Sequence, residues 1–267
     1  MIPEFLYHYT SIESLAMILS TKKIRFNSLS NVDDPIEGQC KEYQDIGNYY
    51  FVSSWTDLEE ESLPFWNMYT PDMKGVRIKM PSDLFYEYPI SSISKLNIKH
   101  WNLKSIVPQD DIFKESSHLI RASRNYLFKI EYTNVKEKLY PTVESIVEEG
   151  VYVNTNLIGV YKSDYWKFQS EWRYIINILP LPSKQNAQLY SADSNFLDDA
   201  ISSLRNGTKL SFTDYFVNIN ETKFKRMEIV MGPKHTDSDK IIVESLINNY
   251  NPGIKLTISN LHQKIRR

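Results

Sequence analysis

The chain has 267 residues, 42% hydrophobic and 24% charged, and its 31 basic against 33 acidic side chains leave a formal net charge of -2. That is the balance of a folded globular protein, not of a disordered or fibrous one, and it gives no overall electrostatic reason to expect nucleic acid or an anionic membrane as partner. The single cysteine, Cys40, excludes an internal disulfide and a structural thiolate metal site, and the start MIPEFLYHYT lacks the basic and long apolar segments of a secretory signal, so a cytoplasmic protein is expected.

Aromatic content is high, with 18 Tyr, 12 Phe and 5 Trp. Most of these rings are expected in the core, and the remainder offer flat faces to other rings. Leu6 to Tyr9 reads as a short strand, and Thr10 or Ser11 is placed to cap a helix in which Ile12, Leu15, Ile18 and Leu19 recur at helical spacing through Thr21. His8 therefore stands at a strand-to-helix corner. KKIRFNSL (22 to 29) alternates like a strand, and SNVDDPIEG (30 to 38) is a polar turn with Pro35 and Gly38.

YYFVSSWT (49 to 56) is a second β-like run, followed by the acidic loop DLEEES. LPFWNMY (63 to 69) reads as a short helix begun near Pro64, and KGVRIKM (74 to 80) as a strand opened by Gly75. Between about 83 and 160 the texture changes. SKLNIKHWNLKSIV, IFKESSHLIRASRNYL and TVESIVEEGVYVNTNL suggest helices around one strand, LFKIEYT (127 to 133). The chain then returns through a tight turn in YKSDYWKFQSEWRYIINIL to a strand, and closes with a strand in FKRMEIVMGP, a helix from about Ser238 to Tyr250, and a strand in GIKLTISNL. A single α+β domain over 1–267, with a mixed sheet and a mainly helical insertion at about 83–160, is predicted.

Common motifs are absent: there is no GxGxxG, Walker loop, HExxH or paired CxxC. Asp33, Asp34 and Glu37 carry the oxygen ligands a hard cation takes, but an acidic turn around proline is more often solvated or capping, and no metal is expected. In YWKFQSEWRY (165 to 174), Gln169, Glu171 and Arg173 fall on one side of an extended segment and Trp172 on the other. That polar row is either an exposed face with a Glu171–Arg173 pair, worth little at a surface, or a site.

YHYT (7 to 10), DDPIE (33 to 37), FVSSWT (51 to 56), Trp66 and Tyr69 of FWNMY, KGVRI (74 to 78), Trp166 through Arg173, and IVMGP (229 to 233) together resemble the bacterial domain-of-unknown-function 2971 family. Two positions depart from that family's pattern: Asp33 replaces an asparagine, and Gln169 replaces the first glutamate of W-x-x-E-x-E-x-R. The order of parts is in turn similar to an ADP-ribosyltransferase core, with a first strand ending in histidine, a strand of small hydroxyl residues, an aromatic-bearing helix and a late Gln-x-Glu.

This second resemblance implies an NAD-consuming enzyme, transferring ADP-ribose to an unidentified macromolecule or hydrolysing NAD, in bacterial defence or stress. Glu171 would stabilise the oxocarbenium charge on the nicotinamide ribose. His8, flanked by Tyr9 and Thr10, would hold the dinucleotide. Tyr69, or next Trp66, would stack on nicotinamide; Gln169 would face the acceptor, and Arg173 would bind a phosphate or position Glu171.

Two alternatives remain open. The chain is instead a non-catalytic protein-binding or nucleotide-sensing module of a bacterial conflict system, or a nuclease using Asp33, Asp34 and Glu37 with a divalent cation. The enzyme needs His8, an aromatic face and Glu171 in one cleft. The module would bury its aromatics and leave Glu171 pinned by Arg173 in a closed, dry network.

Overall fold

The computed structural model describes residues 1–90, 103–108, 111, 118–121, 123, 125–147, 150–180 and 196–265. The chain opens with β1 (Phe5–Thr10) and α1 (Ile12–Thr21). Ser11, in extended backbone, caps the helix by accepting the Ser14 amide, so the cap falls on the second of the two hydroxyl residues. Leu15, Ile18 and Leu19 are buried at the expected spacing, and the helix ends where Lys22 enters the left-handed region at φ 54° and its N–H bonds Ile18 O.

β2 (Lys23–Ser28), β3 (Tyr50–Thr56), α2 (Leu63–Tyr69) and β4 (Val76–Pro81) follow where the sequence pattern places them, with a proline in the first turn of α2. Next comes a run of short strands: β5 (Tyr88–Ile90), β6 (Leu103–Ser105), β7 (His118–Ile120), β8 (Leu127–Lys129), β9 (Glu131–Thr133), β10 (Glu144–Val147), β11 (Gly150–Val153) and β12 (Tyr161–Ser163). The chain ends with β13 (Glu171–Pro180), a helix at Phe196–Arg205, β14 (Asp214–Asn218), β15 (Glu228–Met231), a helix at Asp237–Tyr250 and β16 (Lys255–Ile258).

A mixed, mostly antiparallel sheet runs β14-β2-β3-β1-β4-β15-β16, with β13 joined to β3 and extended by β7 and β8. Among the described strands of this sheet, β15 and β16 are the pair that runs parallel, across the helix Asp237–Tyr250. The architecture is α+β.

For the described residues of about 83–160, these strands correct the expectation of a mainly helical insertion. Among the described residues of 83–160 α-helix is confined to Asp111 and Lys136–Leu139, and Glu144–Val147 pairs antiparallel with Gly150–Val153. Ile146, Val147, Val151 and Val153 are β-branched and gain more on a pleated surface than in a helix. LFKIEYT breaks into two strands that leave for different partners, β8 for β13 and β9 for β12. All of SKLNIKHW and most of IFKESSHL lie outside the described residues.

Side-chain alternation divides the sheet. On one face Leu6, Trp55, Ile78, Met80, Trp172 and Ile229 build the main core under α1 and the helix Asp237–Tyr250. On the other face lie two separate apolar clusters. Tyr9, Phe65 and Trp66 hold α2 to the sheet, and Tyr50, Val52 and Ile175 pack with Leu29, Ile46 and Leu204. Between them, the register Glu171↔Thr56 and Arg173↔Ser54 leaves a polar stretch of the same face. No helix among the described residues is long and apolar enough to cross a membrane.

Candidate functional site

The polar stretch is built at the start of β13. Residues Asp164–Gln169 wind as a 3-10 helix, Ser170 takes φ 41°, and that left-handed step turns the chain into extended backbone at Glu171. Asp57 fixes the corner by accepting the Ser170 hydroxyl at 2.5 Å, the Trp172 indole N–H at 2.9 Å and Lys129 at 3.2 Å. Glu171 and Arg173 then project to one side, as their spacing predicts, but the face is buried and not exposed. Glu171 is 3% and Arg173 1% exposed.

The Arg173 Nε and Nη2 lie 2.8 and 2.7 Å from Glu171 Oε1. Its Nη1 lies 2.5 Å from Glu37 Oε2 and 3.1 Å from the Gly159 carbonyl. Lys162, from β12, closes the ring, with Nζ 3.2 Å from Glu171 Oε2 and 3.0 Å from Glu37 Oε1. Two carboxylates thus face one guanidinium and one ammonium, all almost fully buried, and their charges cancel. The Ser54 hydroxyl adds a hydrogen bond to Glu171. Burial alone would push the Glu171 carboxyl up; Arg173, Lys162 and Ser54 reverse this and hold it below its ordinary value.

Gln169 and Tyr69 are brought to the same place. The Gln169 amide nitrogen lies 2.5 Å from the Tyr69 hydroxyl, while its Oε1 is buried with no partner among the described residues. Burial raises the Tyr69 phenol's pKa, and the nearby charges of Asp33, Glu171 and Glu37 raise it further, so it remains a neutral phenol. Trp66 is fully buried, with its indole N–H donated to Glu61 at 3.0 Å. Tyr9 is stacked on Phe65 at 5.1 Å, edge-on to Trp66, and accepts the Ser62 amide through its hydroxyl. Thr10 is buried at the end of β1. Tyr9, Thr10 and Trp66 are therefore core or near-core residues, and the rings of Tyr9 and Trp66 are packed against protein.

His8 does not join Glu171. It shares the face of Leu6, lies with its ring centroid 5.0 Å from that of Trp55, and so points into the main core side of the sheet. Its Nδ1 lies 2.9 Å from the Ser54 carbonyl, which requires the proton on Nδ1. β1 and β3 pair at Tyr7↔Thr56, and the ring bridges the two strands beyond that point. Burial lowers the His8 pKa, and the bond to Ser54 opposes this only in part. The corner position thus has a structural reason: the imidazole replaces a backbone hydrogen bond where two strands part.

Of the expected site residues, the structure gathers Gln169, Glu171, Arg173 and Tyr69, and leaves His8, Tyr9, Thr10 and Trp66 elsewhere. It adds Lys162, Ser54 and Tyr132, whose hydroxyl accepts the Glu171 amide at 2.8 Å. Nothing about Lys162 in YKSDYW marks it out. Glu37, of the acidic turn, is here an ion-pair partner of Lys162 and Arg173. Among the described residues no group of three His, Cys, Asp or Glu side chains is arranged to hold a metal.

Over this network lies an exposed apolar shelf. Tyr165 is 89% and Phe168 42% exposed, three residues apart on the 3-10 turn and so on one side of it. Phe168 approaches Phe65 of α2 at 6.3 Å, and Leu63 and Met68 of α2 are also exposed. Trp166, on the same turn, receives Lys162 Nζ 4.8 Å from its ring centroid, which ties the shelf to the buried charges. Glu59 and Glu60, in the loop ahead of α2, are exposed. Compared with known proteins, the chain matches no family model, no curated protein and no solved structure.

Proposed function

We propose that this chain is a non-catalytic protein-binding module of a bacterial conflict or stress system, the alternative to the enzyme that the resemblance implies, with the shelf over Glu171 as its recognition face. One observation carries the reading: both oxygens of Glu171 are engaged by buried cations. A carboxylate that stabilises positive charge developing on a ribose must face that charge with its own charge uncompensated. Glu171 would have to abandon Arg173 and Lys162 to do so, and would leave them buried without partners.

Exposed aromatics grouped on one surface are what a protein interface uses for its anchoring contacts. The test is to immobilise the protein against lysate of its source cells beside a Tyr165→Ser, Phe168→Ser double variant. The reading expects a protein retained by the wild type and lost from the variant, with unchanged melting temperature. Equal retention by both would remove the shelf as the recognition face.

A second reading, an NAD-consuming enzyme, is favoured by the convergence of Gln169, Glu171 and Tyr69 at one point of the sheet. It requires the ion-pair network to open when NAD binds. Release of nicotinamide separates the two readings.

A further inference from the structure

Beside the ion-pair network, the acidic turn carries one more charge. Asp34 is 4% exposed; its Oδ1 accepts the Ile36 amide at 3.0 Å, and its Oδ2, withdrawn from bulk water, has no hydrogen-bond partner among the described residues. Lys162 and Arg173 are engaged by Glu37 and Glu171 and do not pair with it. Carboxylates held out of water are paired or bound to a ligand, because an uncompensated buried charge is costly.

Asp34 lines a cleft of about 280 Å³, counting its solvent-open mouth, with room within it for a group the size of one water molecule. Ile36, Leu139, Pro141 and Leu157 make its walls apolar, and Tyr161 contributes a ring. The one cation lining it among the described residues, Lys138, is bonded to Glu131 and sits 5.2 Å from the Tyr161 ring centroid. That ring already accommodates an ammonium group.

We propose that this cleft binds a primary ammonium on an aliphatic stem, with the ammonium paired to Asp34 and the stem along the apolar wall. A hard metal ion takes six or more oxygens, and Glu37 is not free to supply any. A guanidinium suits two parallel acceptors, and of the two Asp34 oxygens Oδ2 alone lacks a hydrogen-bond partner among the described residues. The ammonium belongs either to a free amine or to a lysine side chain of another protein, which present the same chemistry.

The test titrates butylammonium chloride into the full chain and follows the melting temperature and the heat of binding. Sodium chloride and tetramethylammonium chloride, at equal ionic strength, are the controls. Butylammonium is expected to raise the melting temperature, since a ligand of the native state stabilises it, and the controls are not. Asp34→Asn should weaken binding by at least about tenfold, the scale of one charge-assisted hydrogen bond. N-acetyl-lysine methylamide run in parallel identifies the source: tighter binding than butylammonium points to a protein lysine, weaker binding to a free amine. Should Asp34→Asn not fold, Ile36→Trp, at a position 44% exposed, blocks the cleft instead and should abolish the response. No rise with butylammonium, an equal rise with tetramethylammonium, or an undiminished response in the variants would overturn the site, leaving a bound water as the partner of Asp34.

Discussion

His8 and Glu171 are held by the same residue from opposite faces of the sheet: the imidazole takes the Ser54 carbonyl, and the carboxylate takes the Ser54 hydroxyl. The two side chains are linked through β3 yet cannot line one cleft. Each has a structural duty. His8 closes the gap between β1 and β3, and Glu171 balances Arg173 and Lys162 between two apolar clusters.

The first prediction concerns that balance. Removing one member of a buried ion-pair network leaves its partners uncompensated, which costs about 3–5 kcal/mol. Arg173→Met should therefore lower the unfolding free energy by about that amount in urea denaturation. Replacing Glu37, Lys162, Glu171 and Arg173 together by apolar residues of similar volume should recover most of it, because the desolvation cost disappears with the charges. A single variant with wild-type stability would mean that the network is open in solution.

The second prediction is a pH dependence with two steps. His8 titrates below its ordinary value of 6.5, so its contribution is full above that pH and is lost as pH falls through the lower folded-state value. Glu171 also titrates below its ordinary 4.5, so its contribution is full above pH 4.5 and is lost only at stronger acid. Urea midpoints should thus fall first below about pH 6.5 and again below about pH 4.5. His8→Gln should flatten the first step alone and Glu171→Gln the second. A profile unchanged by both substitutions would contradict the assignment.

A third prediction tests the coupling of α2 to the turn. In Tyr69→Phe the Gln169 amide, 3% exposed, loses its partner on a side chain whose Oε1 is already unpaired. The expected cost is about 1–3 kcal/mol, that of one buried unsatisfied group. Chemical denaturation reads it directly, and Tyr69→Phe with wild-type stability would show the hydroxyl to be solvated.

The fourth prediction concerns Gly75, at the opening of β4. A Cβ there would strike the Thr10 carbonyl and come within 2.7 Å of Thr70 Cβ, both fixed in the structure. Gly75→Ala should destabilise the fold by about 1–3 kcal/mol through overpacking. Gly253→Ala, where a Cβ meets open space, should change stability by no more than about 0.5 kcal/mol.

Much of the sheet was legible because its strands alternate and its helices are capped in sequence. Ser11 and Pro64 begin helices by local chemistry that the chain carries on its face. The region around 144–153 was misread because the charged EE of SIVEEGV suggests a helix, whereas the β-branched residues on each side pair with one another. The Glu171–Arg173 pair follows from spacing. Its burial does not, since Lys162 and Glu37 arrive from β12 and from a turn more than a hundred residues away. The resemblance to an ADP-ribosyltransferase core implies His8 beside Glu171. The face each side chain takes depends on register, and Trp55 and Trp172 pairing across β3 and β13 set that register.

The measurement that tests the central claim most directly is nicotinamide release from NAD by the purified, folded protein. It should be run with and without lysate as a source of acceptors, beside Glu171→Gln. With Glu171 closed between Arg173 and Lys162, no release above the protein-free rate is predicted for either protein. Release by the wild type that Glu171→Gln abolishes would contradict the account and assign Glu171 to NAD chemistry.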